Sequence, residues 1–530
     1  MKKWSPLSPA LLVATVVSLI WTASALAQSP TNLIARIYFA GADRISNDAN
    51  SAAFTNEFCS APARALENQT LDKLSHVPGN ICKSKIPAGA GDGSAQLRPL
   101  LDDFLKSEWI LEIGGTTASP EYALAIRLDA SRAQMWQDSL KGLLESWTNI
   151  KVKNISGGWE LKKDLPPNLF RIVRTGDWVV IGCGQDALPL SDAWPKGIKT
   201  AANETDWLDA DVDWPRLAEC FPVLAKFDFP AFKMNVIGRS GNFEWNGKIN
   251  LSQPLPPLEG WTPPTNIIHS PLTSFTAVRG FAPWFKNQSW AKLWELSPEP
   301  DQLYIWAQGQ MPLQTYIAAP VANATNALAQ LGHNLTSNTN WQNNLLSPFT
   351  VDQTPERISL TGVPFIAPEV QALSLTTGNF LFADGFPNLQ RGKAAPPELL
   401  AALREDKLVV YHWEITSERL KDLQQLTQLG LLLTHQHELA ADSVAEQWLN
   451  AVGPPLGASV TQITQTGPAE LAFHRTAPGG LTAAELIALA NWLEAPNFPG
   501  CDLSQPKVQF RPIHGRLKKL SAPVPVPPGP

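Results

Sequence analysis

Residues Leu169–Cys183 read LFRIVRTGDWVVIGC, and this stretch decides the fold class. Two largely apolar runs, Leu169–Arg174 and Trp178–Cys183, flank Gly176-Asp177, a pair that is typical of a hairpin turn. The pattern predicts two antiparallel strands, and Trp159–Lys162 adds a third strand to form a meander.

The segment before this meander predicts two strands and a helix. The strands cover Trp109–Ile113 and Tyr122–Leu128, and the helix runs from Ser131 to about Trp147. One face of that helix is apolar at helical spacing. Its residues are Trp136, Leu140, Leu143, Leu144 and Trp147.

The order strand, strand, helix, meander recurs later in the chain, which predicts an internal repeat. The second copy has a helix whose apolar face is Ala324, Ala327, Leu328 and Leu331, and Thr377-Gly378 takes the place of the first turn. Its predicted strands are Leu303–Trp306, Leu313–Ile317, Ile358–Leu360, Val370–Thr376 and Asn379–Asp384.

The C-terminal region reads as a third, shorter version. Its strand Leu408–Ile415 passes into a helix at Ser417, and a hairpin follows around Thr466-Gly467. The last helix, Ala483–Glu494, starts with a capping box of Thr482 and Glu485. It is apolar over most of its circumference, so we expect burial on more than one side, including Trp492.

These elements predict an α+β fold of repeated strand-strand-helix-meander modules, with mostly antiparallel sheets and helices on one face. Pro254-Leu255-Pro256-Pro257 supplies the clearest boundary. The predicted organisation is a signal peptide (1–27), a first α+β module with an appended helix and hairpin (28–252), a Pro-rich linker (253–273), a second α+β module (274–396), a C-terminal α+β region (397–513) and a Pro-rich disordered tail (514–530).

The first 27 residues have the pattern of a secretory signal. Lys2 and Lys3 precede an apolar run from Ala10, and Ala25-Leu26-Ala27 is a small-x-small cleavage site. We expect a periplasmic or secreted protein with no transmembrane span after cleavage, although an uncut segment would act as an anchor. ATP and reduced nicotinamide are not expected in that compartment, and we predict no cofactor.

The repeat, the strand Gly176–Gly182 and the export signal resemble a group of uncharacterised bacterial secreted proteins built of repeated α+β modules. The resemblance is one of architecture. It implies an exported location and no catalytic residues.

Charge and cysteine content narrow the function further. The net charge is −6 and basic residues form no cluster, which argues against nucleic-acid binding. The five cysteines are Cys59, Cys82, Cys183, Cys220 and Cys501, too few for a disulfide scaffold. Cys59 and Cys82 are the first predicted disulfide pair, because they are close in sequence and lie in a region whose sequence is typical of loops.

Two clusters have some features of a metal site, but neither is predicted to bind a metal ion. Asp209-x-Asp211-x-Asp213 has the spacing of the first calcium-loop ligands, but Trp214 and Cys220 stand where such a loop needs Gly and Glu. His435 and His437, with Glu438 beside them, lie between two predicted helices and lack the H-E-x-x-H spacing.

Two further motifs fail as catalytic sites. The Gly-rich run Ala88–Ser94 lacks the Lys-Ser/Thr of a phosphate loop. Gly238-Arg239-Ser240-Gly241 is a hairpin turn instead of a nucleophile elbow.

The chain has 20 tryptophans, and many of them lie within the apolar pattern of a predicted helix or strand, where core packing is expected. Trp284, Trp290 and Trp294 differ, because they form a local cluster suited to facing a ligand. The sequence thus favours an exported, non-catalytic protein that binds an unknown envelope or extracellular partner or takes part in envelope assembly. The alternative is an exported hydrolase whose site is assembled only in three dimensions.

Overall fold

The computed structural model describes most of the chain between residues 33 and 499. The described ranges are 33–83, 86–87, 89–162, 169–184, 205–221, 224, 229–282, 296–309, 314–337, 350–362, 366–386, 393–394, 396–434, 443–495 and 498–499.

The first half of the chain supplies ten strands and six helices to the described structure. The strands are β1 (Ala35–Phe39), β2 (Trp109–Thr116), β3 (Ser119–Arg127), β4 (Lys153–Ile155), β5 (Gly158–Lys162), β6 (Leu169–Thr175), β7 (Trp178–Gly184), β8 (Leu208–Val212), β9 (Ala231–Arg239) and β10 (Asn242–Asn250). The helices are α1 (Ala42–Ser46), α2 (Ala52–Phe58), α3 (Ala61–Cys82), α4 (Ser94–Lys106), α5 (Ala130–Thr148) and α6 (Trp214–Cys220).

The second half has the same kinds of element in a similar order. The strands are β11 (His269–Ser270), β12 (Leu272–Arg279), β13 (Gln302–Gln308), β14 (Thr315–Pro320), β15 (Thr350–Gln353), β16 (Arg357–Thr361), β17 (Glu369–Leu375), β18 (Gly378–Asp384), β19 (Lys393–Ala394), β20 (Leu408–Ile415), β21 (Ala458–Gly467) and β22 (Glu470–Ala477). The helices are α7 (Ala324–Ser337), α8 (Pro397–Ala402), α9 (Thr416–Thr434), α10 (Val444–Val452) and α11 (Ala483–Glu494).

Twenty strands form one sheet, and β11 and β19 pair separately. Every pairing in the large sheet is antiparallel, which confirms the predicted α+β class. The order across one half is β4-β5-β6-β7-β3-β2-β1-β8-β9-β10. The order across the other is β15-β16-β17-β18-β14-β13-β12-β20-β21-β22. The two halves therefore share one topology over ten strands.

This duplication is larger than the sequence predicts. The segments 109–183 and 303–384 do share strand order, as expected. The C-terminal strands, however, are not a third copy of that module, because β20, β21 and β22 take the sheet positions that β8, β9 and β10 take in the first half.

The halves meet where β10 pairs with β22. Each is the last strand of its half and follows a hairpin, at Arg239–Asn242 and at Gly467–Glu470. The register of β10 against β22 places the fifth residue of each strand, Asn246 and His474, directly opposite the other. The relation is that of a pseudo-twofold axis, as in an isologous dimer interface.

The helices of the two modules pack on equivalent faces. In α5, Asp129 caps the first turn by accepting a hydrogen bond from the Arg132 amide, so the helix begins at Ala130. Ala133 and Trp136 of α5 are buried with Ile126 and Val179, and Ile181 packs against them. In α7, Leu328 and Leu331 are buried with Leu381, which has the position of Ile181 in the equivalent hairpin.

A helical layer joins the halves on one side. Buried apolar residues of α3, from the first half, pack with those of α9, α10 and α11, from the second. None of the described helices is both long and apolar enough to cross a lipid bilayer.

Two sequence-based expectations are wrong. Cys59 and Cys82 are free thiols, because the segment between them is the 22-residue helix α3, which holds its ends about 30 Å apart. Trp492 is 38 % exposed, since α11 buries only the stripe containing Leu486, Ile487 and Ala490.

Candidate functional site

Several residues singled out from the sequence lie outside the described part of the chain. These are the tryptophan cluster Trp284, Trp290 and Trp294, and the histidine pair His435 and His437 with Glu438. Their roles therefore stay predictions.

The aspartates with calcium-loop spacing have other partners. Asp211 on β8 forms an ion pair with Lys233, at 2.5 Å. Asp213 accepts a hydrogen bond from the Arg216 amide and so caps α6, as a helix N-terminus favours. Burial, followed by the nearby Asp206, raises the pKa of Asp209. Among the described residues, no three His, Cys, Asp or Glu side chains are grouped so that they could hold a metal ion.

The Gly-rich run leads into α4 and borders an open groove of about 340 Å³ between α3 and α4. The polar groups that line it have partners within the chain: Ser94 Oγ donates to Asp92 Oδ1, and Ser75 Oγ donates to the Asp72 carbonyl. Arg98, which also lines the groove, donates to Asn68 and forms an ion pair with Asp102.

A hydroxyl, an imidazole and a carboxylate are aligned on one face of the sheet in the second half. Thr276 on β12 lies opposite His412 on β20, and their Oγ1 and Nδ1 atoms are 2.8 Å apart. His412 Nε2 lies 3.3 Å from Glu414 Oε2, because residues two apart on a strand share a face. The other oxygen of Glu414 accepts a hydrogen bond from the Ala483 amide at the start of α11.

Four more charged residues complete this buried polar layer: Arg419, Asp422, Arg475 and Glu485. Arg475 donates to Thr461 and makes a bidentate contact with Glu485, at 2.8 and 3.0 Å. Burial raises the pKa of Asp422 to about 6, although Arg419 opposes the shift. Burial also acts on Glu414, but His412, the Ala483 amide and Arg419 lower its pKa overall.

The polar layer has the groups of a hydrolytic triad but not the access that a triad needs. A catalytic hydroxyl must reach a substrate carbonyl. Thr276, His412 and Glu414 are only 2–4 % exposed, and residues of α9 and α11 supply contacts on this side. The layer therefore anchors α9 and α11 to the sheet.

The second polar group is a row across four neighbouring strands. Trp306 on β13 lies opposite Tyr316 on β14, Tyr316 lies opposite Asp384 on β18, and Asp384 lies opposite Glu369 on β17. Directly opposed residues of antiparallel strands project to one face. These four residues and Gln314, which contacts Tyr316, are called the Asp384 site below.

One wall of the Asp384 site is aromatic. The rings of Trp306 and Tyr316 stack at 5.5 Å, and Phe382 stacks on Tyr316 at 5.7 Å. The Tyr316 hydroxyl accepts a hydrogen bond from Gln314 Nε2 and donates one to Gln308 Oε1, at 3.3 Å. These contacts fix the orientation of the phenol ring beside Asp384.

No hydrogen-bond donor reaches the Asp384 carboxylate from the described part of the chain. It is 7 % exposed, and neither of its oxygens is hydrogen-bonded. Burial, followed by the charge of Glu369, raises its pKa to about 7. Gln314 Oε1 and Trp306 Nε1 are also buried without a partner in the described structure, so three residues next to Tyr316 hold four unpaired polar atoms.

The polar layer also contains unpaired atoms, but its charges compensate. Arg419 and Asp422 attract each other there, whereas the charge that acts on Asp384 is a second carboxylate. Glu369 itself is better satisfied, since Gln371 Nε2 donates to it at 2.7 Å and Arg357 lies 3.7 Å away. Buried polar groups almost always have partners, so Asp384 requires an explanation.

The first half does not repeat this site. The β6–β7 pair that corresponds to β17–β18 has Leu169 opposite Gly184 where Glu369 and Asp384 stand. The two halves thus share one topology, but the first half lacks the two carboxylates that the second half has at this position.

Sequence reasoning missed the Asp384 site, although a signal was present. Phe380, Phe382 and Asp384 alternate along one predicted strand, which places a carboxylate on the same face as two buried rings. The partners on β14 and β17 could not be identified without the pairing of the strands.

Comparisons with known proteins add no functional assignment. No protein-family model and no curated protein matches the chain. Two crystal forms of a protein called TP0453 align over 43 % of this chain and 98 and 99 % of theirs, at 9 and 8 % identity and a TM-score of 0.23. A likeness at that level carries no argument about function.

Proposed function

We propose that the protein is exported and binds a small polar ligand at the Asp384 site without chemical turnover. One observation carries the proposal: a carboxylate that is 7 % exposed has two unpaired oxygens beside buried aromatic rings, an unpaired amide oxygen and an unpaired indole N–H. Because these residues are as buried as those of the polar layer, we expect a ligand to enter only when the packing around Asp384 opens. Leaving such groups unpaired costs free energy that a ligand can recover.

Export is supported by the signal pattern of residues 1–27, which lie outside the described structure. If the protein is exported, it acts in the cell envelope or outside the cell. The hydrolase alternative has less support, because the one hydroxyl–imidazole–carboxylate row described above is buried under helices.

Thermal-shift measurements on residues 28–530 with a panel of small amines, alcohols, sugars and amides test the binding proposal. Compounds that bind at the site raise the melting temperature of the wild type and not that of Asp384→Asn. Asp422→Asn is the matched control, because Asp422 is also a buried acid with an unpaired oxygen but lies in the polar layer.

Two results would contradict the proposal. One is a panel in which no compound stabilises the wild type more than Asp384→Asn. The other is turnover of ester, peptide or glycoside substrates that His412→Ala abolishes, which would favour the hydrolase.

A further inference from the structure

The unpaired atoms of the Asp384 site specify what a ligand must bring. Three of them are acceptor oxygens: Oδ1 and Oδ2 of Asp384 and Oε1 of Gln314. The fourth, Trp306 Nε1, is a donor. A ligand that satisfies the three oxygens therefore carries about three donors close together, and one that also carries an acceptor for Trp306 Nε1 would bind more tightly.

Charge adds a second requirement. Asp384 is next to Glu369, and the Coulombic effect of that second carboxylate makes the site electronegative. Arg357 approaches only Glu369, and its side chain is 55 % exposed. A positive charge placed at Asp384 would thus be favoured by both carboxylates, and a negative one would be repelled.

The aromatic wall adds a third requirement for the ligand. The Trp306, Tyr316 and Phe382 rings pack on one another and are 0–3 % exposed, so they surround the acid with apolar, electron-rich groups. Such groups attract organic cations, and a carbon chain that reaches the site would contact them. A hydrated metal ion would instead need a shell of six or more oxygens, which rings do not supply.

We infer that the Asp384 site binds the ammonium group of an organic amine, with its three N–H donors directed to the Asp384 and Gln314 oxygens. The inference rests on the proposed function. It narrows the ligand from a small polar molecule to a primary amine whose carbon chain lies along the aromatic wall.

The test is isothermal titration calorimetry on residues 28–530 with four probes. n-Butylammonium chloride is the ligand analogue, and 1-butanol has the same chain without the charge. Tetramethylammonium has the charge without N–H donors, and calcium chloride tests for a metal. We expect binding of n-butylammonium, with the other three at least about tenfold weaker, because n-butylammonium alone combines a positive charge with N–H donors on a carbon chain.

Variants locate the binding. Asp384→Asn is expected to weaken n-butylammonium binding at least about tenfold, and Gln314→Met to weaken it to a smaller degree. Asp422→Asn is expected to leave it unchanged. Circular dichroism of each variant verifies folding. If Asp384→Asn does not fold, the affinity of Gln314→Met for n-butylammonium tests the inference.

Equal affinity of wild type and both site variants for n-butylammonium would overturn the inference, as would tighter binding of calcium. 1-Butanol or a neutral panel compound could bind in an Asp384-dependent manner while n-butylammonium does not bind. That result would overturn the inference of an amine ligand and support the proposal that the Asp384 site binds a small polar molecule. If no probe or panel compound binds, both proposals are wrong.

Discussion

Asn246 Oδ1 lies 2.8 Å from His474 Nδ1, and these two residues occupy the same position in the two halves of the chain. A true twofold axis would bring identical residues together at this point. Here an amide faces an imidazole, so the twofold relation holds for the strands and not for these side chains. The two halves have diverged at their junction as well as at the Asp384 site.

Glu57 on α2 is buried where the halves meet, and burial raises its pKa to about 8. The indole of Trp448 donates to its main-chain carbonyl, and its Oε1 lies 2.9 Å from where a Cβ on Gly479 would be. Because the folded state keeps a proton that the unfolded state loses above about pH 4.5, stability falls between about pH 4.5 and pH 8. We expect Glu57→Gln to remove this loss, on the order of 4 kcal/mol at pH 9.

Urea unfolding of wild type and Glu57→Gln at pH 5 and pH 9 measures the effect. Glu398→Gln, at an exposed glutamate in α8, is the control and should change stability by less than about 0.5 kcal/mol. An equal loss of stability between pH 5 and pH 9 in the wild type and in Glu57→Gln would show that Glu57 is ionised in the fold.

Arg475 is 2 % exposed and holds Glu485 through two hydrogen bonds. Arg475→Ala removes both guanidinium hydrogen bonds to Glu485, which then keeps only the Thr482 amide as a donor, and it removes the donor to the Thr461 hydroxyl. We expect a loss of about 3–5 kcal/mol. Arg239→Ala is the comparison, because it removes an exposed ion pair with Glu244 and should cost less than about 1 kcal/mol. Denaturant unfolding gives both values, and similar losses would mean that the buried pair contributes no more than the exposed one.

Thr482 and Glu485 form a complete capping box at the start of α11, as the sequence predicts. Thr482→Ala should cost about 1 kcal/mol, while Thr482→Ser retains the acceptor oxygen and should cost less. Trp492→Ala should cost less than the roughly 3–5 kcal/mol typical of a buried tryptophan, because Trp492 is 38 % exposed, although its ring makes an edge-to-face contact with Phe498. Thermal unfolding of the three variants measures these losses, and a loss of about 3–5 kcal/mol in Trp492→Ala would contradict the exposure.

Export predicts a mature N-terminus at Gln28, after Ala25-Leu26-Ala27. The intact mass of protein from the extracytoplasmic fraction measures this directly. A mass that includes Met1–Ala27 would mean that the segment remains as an anchor, and recovery in the cytoplasm alone would exclude export.

Local patterns predicted the modules well. The hairpin at Gly176-Asp177, the strand-strand-helix order and the amphipathic face of α5 all depend on residues close in sequence, and the structure has each of them. The loop-like reading of residues 59–82 failed, because α3 contains Pro78 and Gly79, which usually interrupt a helix, and its packing on α10 overrides them.

Long-range relations could not be predicted from one sequence. The pairing of β10 with β22 joins residues more than 200 positions apart, and neither strand differs in composition from one that pairs locally. The Asp384 site has the same origin, since Glu369, Tyr316 and Trp306 meet Asp384 only through the order of the strands.

The β10–β22 pairing has a consequence for fragments of this chain. A first half produced alone would end in β10 with one row of peptide groups unpaired, and such an edge is a template for another strand. Since β10 and β22 take equivalent places and run antiparallel, a second copy of the same half can supply the missing neighbour, with Asn246 facing Asn246. Separated halves would therefore self-associate, each replacing the covalently linked partner by a copy of itself.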